Sequence, residues 1–124
     1  MAQILIVDDS PTDVHSIRSV LQEGGYEVEV AETADAGIEM ARQHTPDLIL
    51  MDVVFDGMSG FQGTRKVARD PATRDIPVII VSRKDQESDK VWGLRQGAVD
   101  YLVKPVRGKE LLDSVQTALR GVSI

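Results

Sequence analysis

Five apolar-rich segments of strand length alternate with segments of helical periodicity along the whole chain. They predict strands at residues 4–7, 26–31, 47–51, 78–81 and 99–103. The continuous apolar run ILIV is typical of a parallel strand buried on both faces, whereas residues 26–31 alternate apolar and acidic side chains, as an edge strand does. Five consecutive strand–helix units predict an α/β fold: a doubly wound five-stranded parallel sheet with helices on both faces. The residue pattern alone does not give the order of the strands.

The segments between these strands carry start and stop signals for helices. Ser10 is a predicted N-cap with Pro11 at the first helical position, and Thr33 is the predicted N-cap of the second helix. Gly97 is placed to end the fourth helix. The predicted helices run from residue 11 to the glycine pair at 24–25, and then over residues 34–44, 61–68, 86–96 and 109–119.

Length and composition exclude several classes of protein. At 124 residues the chain is predicted to form one domain, residues 1–124. No apolar run approaches the roughly 20 residues of a spanning helix, and Met1-Ala2 leads straight into a strand, so we expect no membrane insertion and no signal peptide. The lack of cysteine is compatible with the cytoplasm, the expected location. A net charge of −6 argues against direct binding to nucleic acid.

Carboxylates and a lysine stand where predicted strands end. Asp8 and Asp9 follow ILIV, Asp52 follows LILM, and Lys104-Pro105 follows YLV. Ligands of an open α/β sheet bind outside the carboxyl ends of its strands, so we expect these side chains to meet. Clustered carboxylates repel one another unless a cation is present, and Mg²⁺ accepts a few carboxylates plus a phosphate. The ammonium group of a lysine can bind a phosphate oxygen as a point charge. The residues therefore predict a magnesium-dependent phosphoryl site with an aspartate as acceptor.

The chain resembles the receiver domains of two-component response regulators over essentially its whole length. The residues that carry the resemblance, in order along successive strands, are Asp8-Asp9, Asp52, Ser82 after VIIV, Tyr101 and Lys104-Pro105. The resemblance implies the flavodoxin-like strand order 2-1-3-4-5. It also implies that Asp52 takes a phosphoryl group from the phosphohistidine of a histidine kinase or phosphotransfer domain.

The resemblance further implies roles for individual residues. The implied ligands of Mg²⁺ are Asp8, Asp9, Asp52 and the backbone carbonyl of Val54. Ser82 and Lys104 would each bind one phosphoryl oxygen, and Tyr101 would be the aromatic that turns inward with Ser82. The protein would take part in its own phosphorylation and dephosphorylation as a signalling protein rather than act as a separate enzyme.

One segment narrows the resemblance. Residues 84–106, KDQESDKVWGLRQGAVDYLVKPV, are most similar to the single-domain regulators of the type IV pilus chemotaxis-like system, which governs twitching motility. Because the chain ends soon after the last predicted helix, we expect no DNA-binding or enzymatic output domain. Output would be a target protein bound on the face of the fourth helix, fifth strand and fifth helix (residues 90–94, 99–101 and 107–112), or use of the domain as a phosphoryl reservoir.

Two positions depart from the usual pattern of the family. Phe55-Asp56 stand where receivers usually carry Met-Pro, and Asp56 adds a carboxylate near the predicted metal site. Arg83 follows the predicted switch hydroxyl, where the family usually has a small residue. A long cation there would shield the phosphate or contact a donor. Neither change removes a residue that the chemistry needs.

Other interpretations fit parts of the pattern. A haloacid-dehalogenase-type phosphatase also phosphorylates an aspartate, but it needs a second aspartate where this chain has Val54. A flavodoxin-like FMN carrier shares the fold, but Asp8 and Asp9 would repel its phosphate. Ser82 as a plain turn residue and Tyr101 as a half-buried strand aromatic stay open. For Trp92 two interpretations also stay open: packing at the edge of the core, or an anchor for a partner protein.

Overall fold

The computed structural model describes residues 1–121, which form five strand–helix units. In chain order the elements are β1 (Gln3–Val7), α1 (Pro11–Glu23), β2 (Glu27–Ala31), α2 (Ala34–His44), β3 (Leu48–Met51), α3 (Gly60–Arg69), β4 (Val78–Ser82), α4 (Glu87–Arg95), β5 (Asp100–Val103) and α5 (Gly108–Leu119). Every predicted strand and helix is present, with bounds within one residue of the prediction. Residues 122–124 of the predicted domain lie outside the described part.

The strands form one parallel sheet in the order β2-β1-β3-β4-β5. This confirms the predicted fold class and the strand order that the resemblance implied, and β2 is the predicted edge strand. In the register of the sheet, Val7 of β1 lies beside Ala31 of β2 and Met51 of β3. Because β1 and β3 therefore end at the same level, Asp8 and Asp52 leave the sheet side by side.

The helices cover both faces of the sheet. Alternate residues of a strand point to opposite faces, so Ile4 and Ile6 pack with α1 and α5, whereas Leu5 and Val7 pack with α2 and α3. The central strands are apolar except at their ends, at Gln3 of β1 and Ser82 of β4, because both of their faces are buried. Polar residues are thus confined to the strand ends, which is where the candidate site lies. Within residues 1–121, the helices are all too short or too polar to cross a membrane.

Candidate functional site

Three strands deliver functional side chains through backbone hydrogen bonds that continue the sheet for one further residue. The amide of Asp8 donates to the carbonyl of Ala31 at 3.0 Å, and the amide of Asp52 donates to that of Val7 at 2.9 Å. The amide of Lys104 donates to the carbonyl of Ser82, also at 2.9 Å. The positions of Asp8, Asp52 and Lys104 are therefore fixed by the sheet itself rather than by flexible loops.

The turn from β1 into α1 adds a further carboxylate. The amide of Ser10 donates to Asp8 Oδ1 at 2.9 Å, and the N-cap Ser10 Oγ accepts a long bond from the amide of Asp13 at 3.4 Å. Pro11 occupies the start of the helix, where its missing N–H has no cost. This local cap places Asp13 in the first turn, above the carboxyl edge of the sheet.

Lys104 is the centre of the site. Its Nζ donates to Asp8 Oδ2 at 2.8 Å, to Asp13 Oδ2 at 2.9 Å and to Asp52 Oδ2 at 3.2 Å. The lysine side chain is 4% exposed and the Asp52 side chain 12% exposed. The peptide bond from Lys104 to Pro105 is cis. The structure therefore brings together Asp8, Asp52 and Lys104, as the sequence predicted.

Burial and charge set the protonation of this cluster. Burial raises the pKa of Asp52 above its ordinary value; the Val53 amide and the Lys104 ammonium oppose the rise, and the charge of Asp8 adds to it. Burial alone would lower the pKa of Lys104, but its hydrogen bonds to Asp8 and Asp13 and the charges of Asp52 and Asp8 raise that pKa. The lysine thus stays protonated, whereas burial disfavours the ionised form of Asp52.

The same carboxylates form a group that suits a hard cation. One oxygen each from Asp8, Asp9 and Asp52 lie within 4.8 Å of one another. Asp8 is buried and Asp9 is exposed, so one side of the group is open to water and to a phosphate. Oxygen ligands with an open side are what Mg²⁺ requires. Asp56 is exposed and, in the described part of the chain, does not belong to this group.

The predicted switch residues share a hydrogen-bonding partner. Ser82 is fully buried, and its Oγ accepts from the amide of Lys84 at 3.2 Å. Tyr101 is buried, and its hydroxyl donates to the carbonyl of Lys84 at 2.8 Å. Burial raises the pKa of the Tyr101 hydroxyl, which therefore stays protonated. Tyr101 lies in the inward position and is connected to Ser82 through the backbone of Lys84.

Val54, whose backbone carbonyl is the remaining predicted ligand of the metal, follows β3 and is 62% exposed.

Asp13 is the site residue that the sequence interpretation missed. Its Oδ2 accepts from Lys104 Nζ and its Oδ1 accepts from Arg83 Nη2, both at 2.9 Å. A signal was available. A helix that follows a parallel strand begins at the carboxyl edge of the sheet, so its first-turn side chains lie where ligands bind.

The fold and the site together define the class of protein. Residues 4–116 match the family described as "Response regulator receiver domain", and the chain belongs to this family. It is 52% identical to protein PilH from Pseudomonas aeruginosa over 121 residues, which cover 98% of this chain and 100% of PilH. The predicted resemblance is confirmed. Several longer response regulators match over only 26% to 53% of their own length.

Solved structures of receivers share this fold. A CheY-like receiver domain protein from Methanospirillum hungatei superposes with a TM-score of 0.89 at 30% identity, covering 98% of this chain and 95% of its own. The receiver domain of sensor histidine kinase PA1611 from P. aeruginosa gives a TM-score of 0.88 at 28% identity and covers 96% of this chain and 98% of its own. That structure holds a magnesium ion coordinated in its active-site cleft.

Proposed function

We propose that this chain is a phosphoacceptor response regulator in which Asp52 takes a phosphoryl group from the phosphohistidine of a histidine kinase or phosphotransfer domain. The observation that carries the proposal is the geometry around Lys104. Its ammonium group lies 3.2 Å from Asp52 Oδ2 within a group of carboxylates at the strand ends. A buried cation beside a nucleophilic carboxylate is what transfer of an anionic group requires.

The proposed reaction exchanges one bond for another. An Asp52 carboxylate oxygen attacks phosphorus, the P–N bond to the donor imidazole breaks, and its electron pair leaves with the imidazole. Lys104 donates to a phosphoryl oxygen, and the Ser82 hydroxyl donates to another. The product is an acyl phosphate on Asp52, which water later hydrolyses. The protein thus takes part in its own phosphorylation and dephosphorylation as a signalling protein.

The proposed cofactor is Mg²⁺, held by Asp8, Asp9, Asp52 and the backbone carbonyl of Val54. The group formed by one oxygen each of Asp8, Asp9 and Asp52, with Asp9 exposed, supports this assignment. When bound, the cation would neutralise phosphoryl oxygens during transfer.

We further propose that output is a protein contact on the face of α4, β5 and α5. Support comes from three partly exposed apolar side chains on one short helix: Val91, Trp92 and Leu94 of α4. This exposure favours the partner-anchor interpretation of Trp92 over core-edge packing. The alternative use of the domain as a phosphoryl reservoir would leave this face unchanged by phosphorylation.

The wider assignments belong to the same proposal. Residues 1–124 would form one receiver domain that does not bind DNA directly. The full-length match to PilH supports a role in a type IV pilus chemotaxis-like system and twitching motility. A receiver that takes its phosphoryl group from a kinase acts where that kinase uses ATP, so a cytoplasmic location is part of the proposal.

Phosphorylation by a small donor tests the central claim. We expect phosphoramidate, whose P–N bond resembles that of phosphohistidine, to add one phosphoryl group in the presence of Mg²⁺, measured by intact-mass spectrometry. Asp52→Asn should abolish the added mass, and Asp56→Asn, which replaces an exposed carboxylate in the same loop, should retain it. Label that persists in Asp52→Asn would contradict Asp52 as the acceptor.

A further inference from the structure

The Asp13 carboxylate joins two cations that belong to different strands. Its Oδ2 accepts from Lys104, which follows β5, and its Oδ1 accepts from Arg83, which follows β4. Asp13 itself lies on α1, which follows β1, and β3 separates β1 from β4 in the sheet. The bridge from Arg83 to Asp13 therefore spans the end of β3, where Asp52 lies.

The hydrogen-bonding capacity of Lys104 singles out Asp13. An ammonium group has three donors, and Lys104 uses them on Asp8, Asp13 and Asp52. Asp8 and Asp52 already have roles in the proposed function, the first toward the metal and the second as acceptor. Asp13 lies outside the three-carboxylate group identified among residues 1–121. Asp13 can therefore keep its bond to Lys104 while another donor of Lys104 turns to a phosphoryl oxygen.

Burial distinguishes this contact from an ordinary surface ion pair. The side chains of Lys104 and Asp13 are 4% and 17% exposed, whereas Lys109 and Asp113 on α5 form a pair of the same 2.9 Å length with both side chains exposed. An exposed pair contributes little because water and salt screen it. Burial alone would raise the pKa of Asp13, but Lys104 and Arg83 outweigh it and hold that pKa below its ordinary value, so Asp13 is ionised at neutral pH.

We propose that Asp13 is a positioning residue for phosphoryl transfer: it holds Lys104 Nζ beside Asp52, and Arg83 orients the Asp13 carboxylate from outside. The inference rests on the proposed function, since it assigns the lysine its place in that reaction. Arg83 is 67% exposed, so its bond acts on the orientation of Asp13 rather than on the packing of the core. Arg83 orients Asp13, Asp13 holds Lys104, and Lys104 binds the phosphoryl group on Asp52.

The first test needs neither metal nor phosphodonor. In metal-free protein, a brief pulse of acetic anhydride should modify Lys109 readily and Lys104 slowly, as measured for each peptide by mass spectrometry. Asp13→Asn should increase modification of Lys104 several-fold, and Arg83→Gln should increase it less. The matched control is Asp113→Asn, which removes the carboxylate of the exposed pair and should leave Lys104 protected.

The second test follows the reaction. With Mg²⁺ and phosphoramidate at fixed concentrations, Asp13→Asn should slow phosphorylation of Asp52 about tenfold, as loss of a residue that orients a reacting group does. Arg83→Gln should slow it at most about fivefold, because it acts through an exposed pair. Asp13→Glu keeps the charge and should recover part of the rate. Asp113→Asn should match the wild type.

The outcomes separate this inference from the proposed function. Increased Lys104 modification together with slower phosphorylation in Asp13→Asn supports the positioning role. Unchanged Lys104 protection, or unchanged phosphorylation after protection is lost, overturns it while the labelled wild type leaves the proposed function standing. A wild type that takes no label at Asp52 overturns both. Because Arg83 is exposed, Arg83→Gln keeps the test decisive if Asp13→Asn unfolds.

Discussion

Gly60 shows how a single residue shapes the site at close range. A side chain at this position would place its Cβ 1.7 Å from the carbonyl oxygen of Asp52, far inside any real contact. The amide of Gly60 also donates to the carbonyl of Val53 at 2.8 Å. Only glycine allows the first turn of α3 to lie directly against the backbone of Asp52.

Gly60→Ala should therefore lower the free energy of unfolding. Overpacking of this kind costs about 1–3 kcal/mol, because backbone must shift to admit the methyl group. Urea denaturation at neutral pH measures the change. Gly108→Ala is the matched control: its Cβ would lie 3.5 Å from Val20 Cγ2, an ordinary contact at the start of a helix. Equal losses in the two variants would show that the close approach to Asp52 is not the cause.

At the scale of elements, the helix ends are specified locally. Thr33 Oγ1 accepts from the amide of Ala36 at 3.1 Å and so begins α2. Ser59 and Gln62 form a reciprocal capping box at the start of α3, with bonds of 3.2 and 3.1 Å. Thr45 ends α2 in the left-handed conformation, with a φ of 43°. Such signals fix where helices begin and end without reference to the rest of the fold.

An ion pair links α2 to the end of α3. Arg42 Nε donates to Asp70 Oδ2 at 2.6 Å, and Asp70 Oδ1 accepts from the amide of Ala72 at 2.9 Å. The Ala72 amide and then the Arg42 guanidinium hold the pKa of Asp70 below its ordinary value. A carboxyl whose pKa is lowered by folding stabilises the protein above its unfolded pKa, and this stabilisation is lost as pH falls through the folded pKa.

Asp70→Asn should therefore destabilise the protein at neutral pH, and the difference from wild type should shrink only below the ordinary pKa of 3.8. Urea midpoints of both proteins, measured from neutral pH down to about pH 3, follow this difference. Asp113→Asn removes a carboxylate from an exposed pair and controls for the change in net charge. A difference that stays constant across the acidic range would mean that the Asp70 charge is not the source.

At the scale of the whole molecule, the sheet gathers negative charge from separate parts of the chain. Asp8, Asp9 and Asp52 meet at one edge of the sheet in a protein whose net charge is already −6. Burial raises the pKa of Asp52, Lys104 opposes that rise, and the charge of Asp8 adds to it. The fold thus keeps an acidic group that a bound cation would stabilise.

Mg²⁺ should raise the thermal stability of the wild type. A ligand that binds only the native state contributes about 2.7 kcal/mol at a hundredfold excess over its Kd. Thermal unfolding across a MgCl₂ titration, at ionic strength matched with NaCl, measures this. Asp9→Ala should abolish the increase, whereas Asp56→Ala, which removes an exposed carboxylate outside the group, should retain it. An Asp9→Ala variant that responds like wild type would place the cation elsewhere.

Phosphorylation should alter the proposed output face. Amide hydrogen exchange with and without beryllofluoride, a mimic of the phosphoryl group, should differ at residues 90–94, 99–101 and 107–112. Ser82 and Tyr101 both form hydrogen bonds with the backbone of Lys84, which lies just before α4. A movement of the Ser82 hydroxyl toward the phosphoryl group should therefore shift Lys84, Tyr101 and the start of α4. Asp52→Asn should show no difference. Unchanged exchange on this face in wild type would favour the phosphoryl-reservoir function.

The sequence by itself determined the elements and predicted that most residues of the candidate site would meet. Strand-length apolar runs, helix caps and polar residues at strand ends are local patterns, and each reports on residues that stay neighbours after folding. Asp8, Asp9, Asp52 and Lys104 could be assigned to one edge because every strand of a parallel sheet ends there. The order of the strands required the resemblance to a family.

Only the tertiary structure decided which charges pair. Asp13 lies 91 residues from Lys104 and 70 from Arg83, and no local pattern records such a contact. The pairing depends on the register of β1, β3 and β4 and on the point where α1 begins, quantities that exist only once the sheet is assembled. The buried position of Tyr101 and its hydrogen bond to Lys84 likewise depend on packing, not on the periodicity of the sequence.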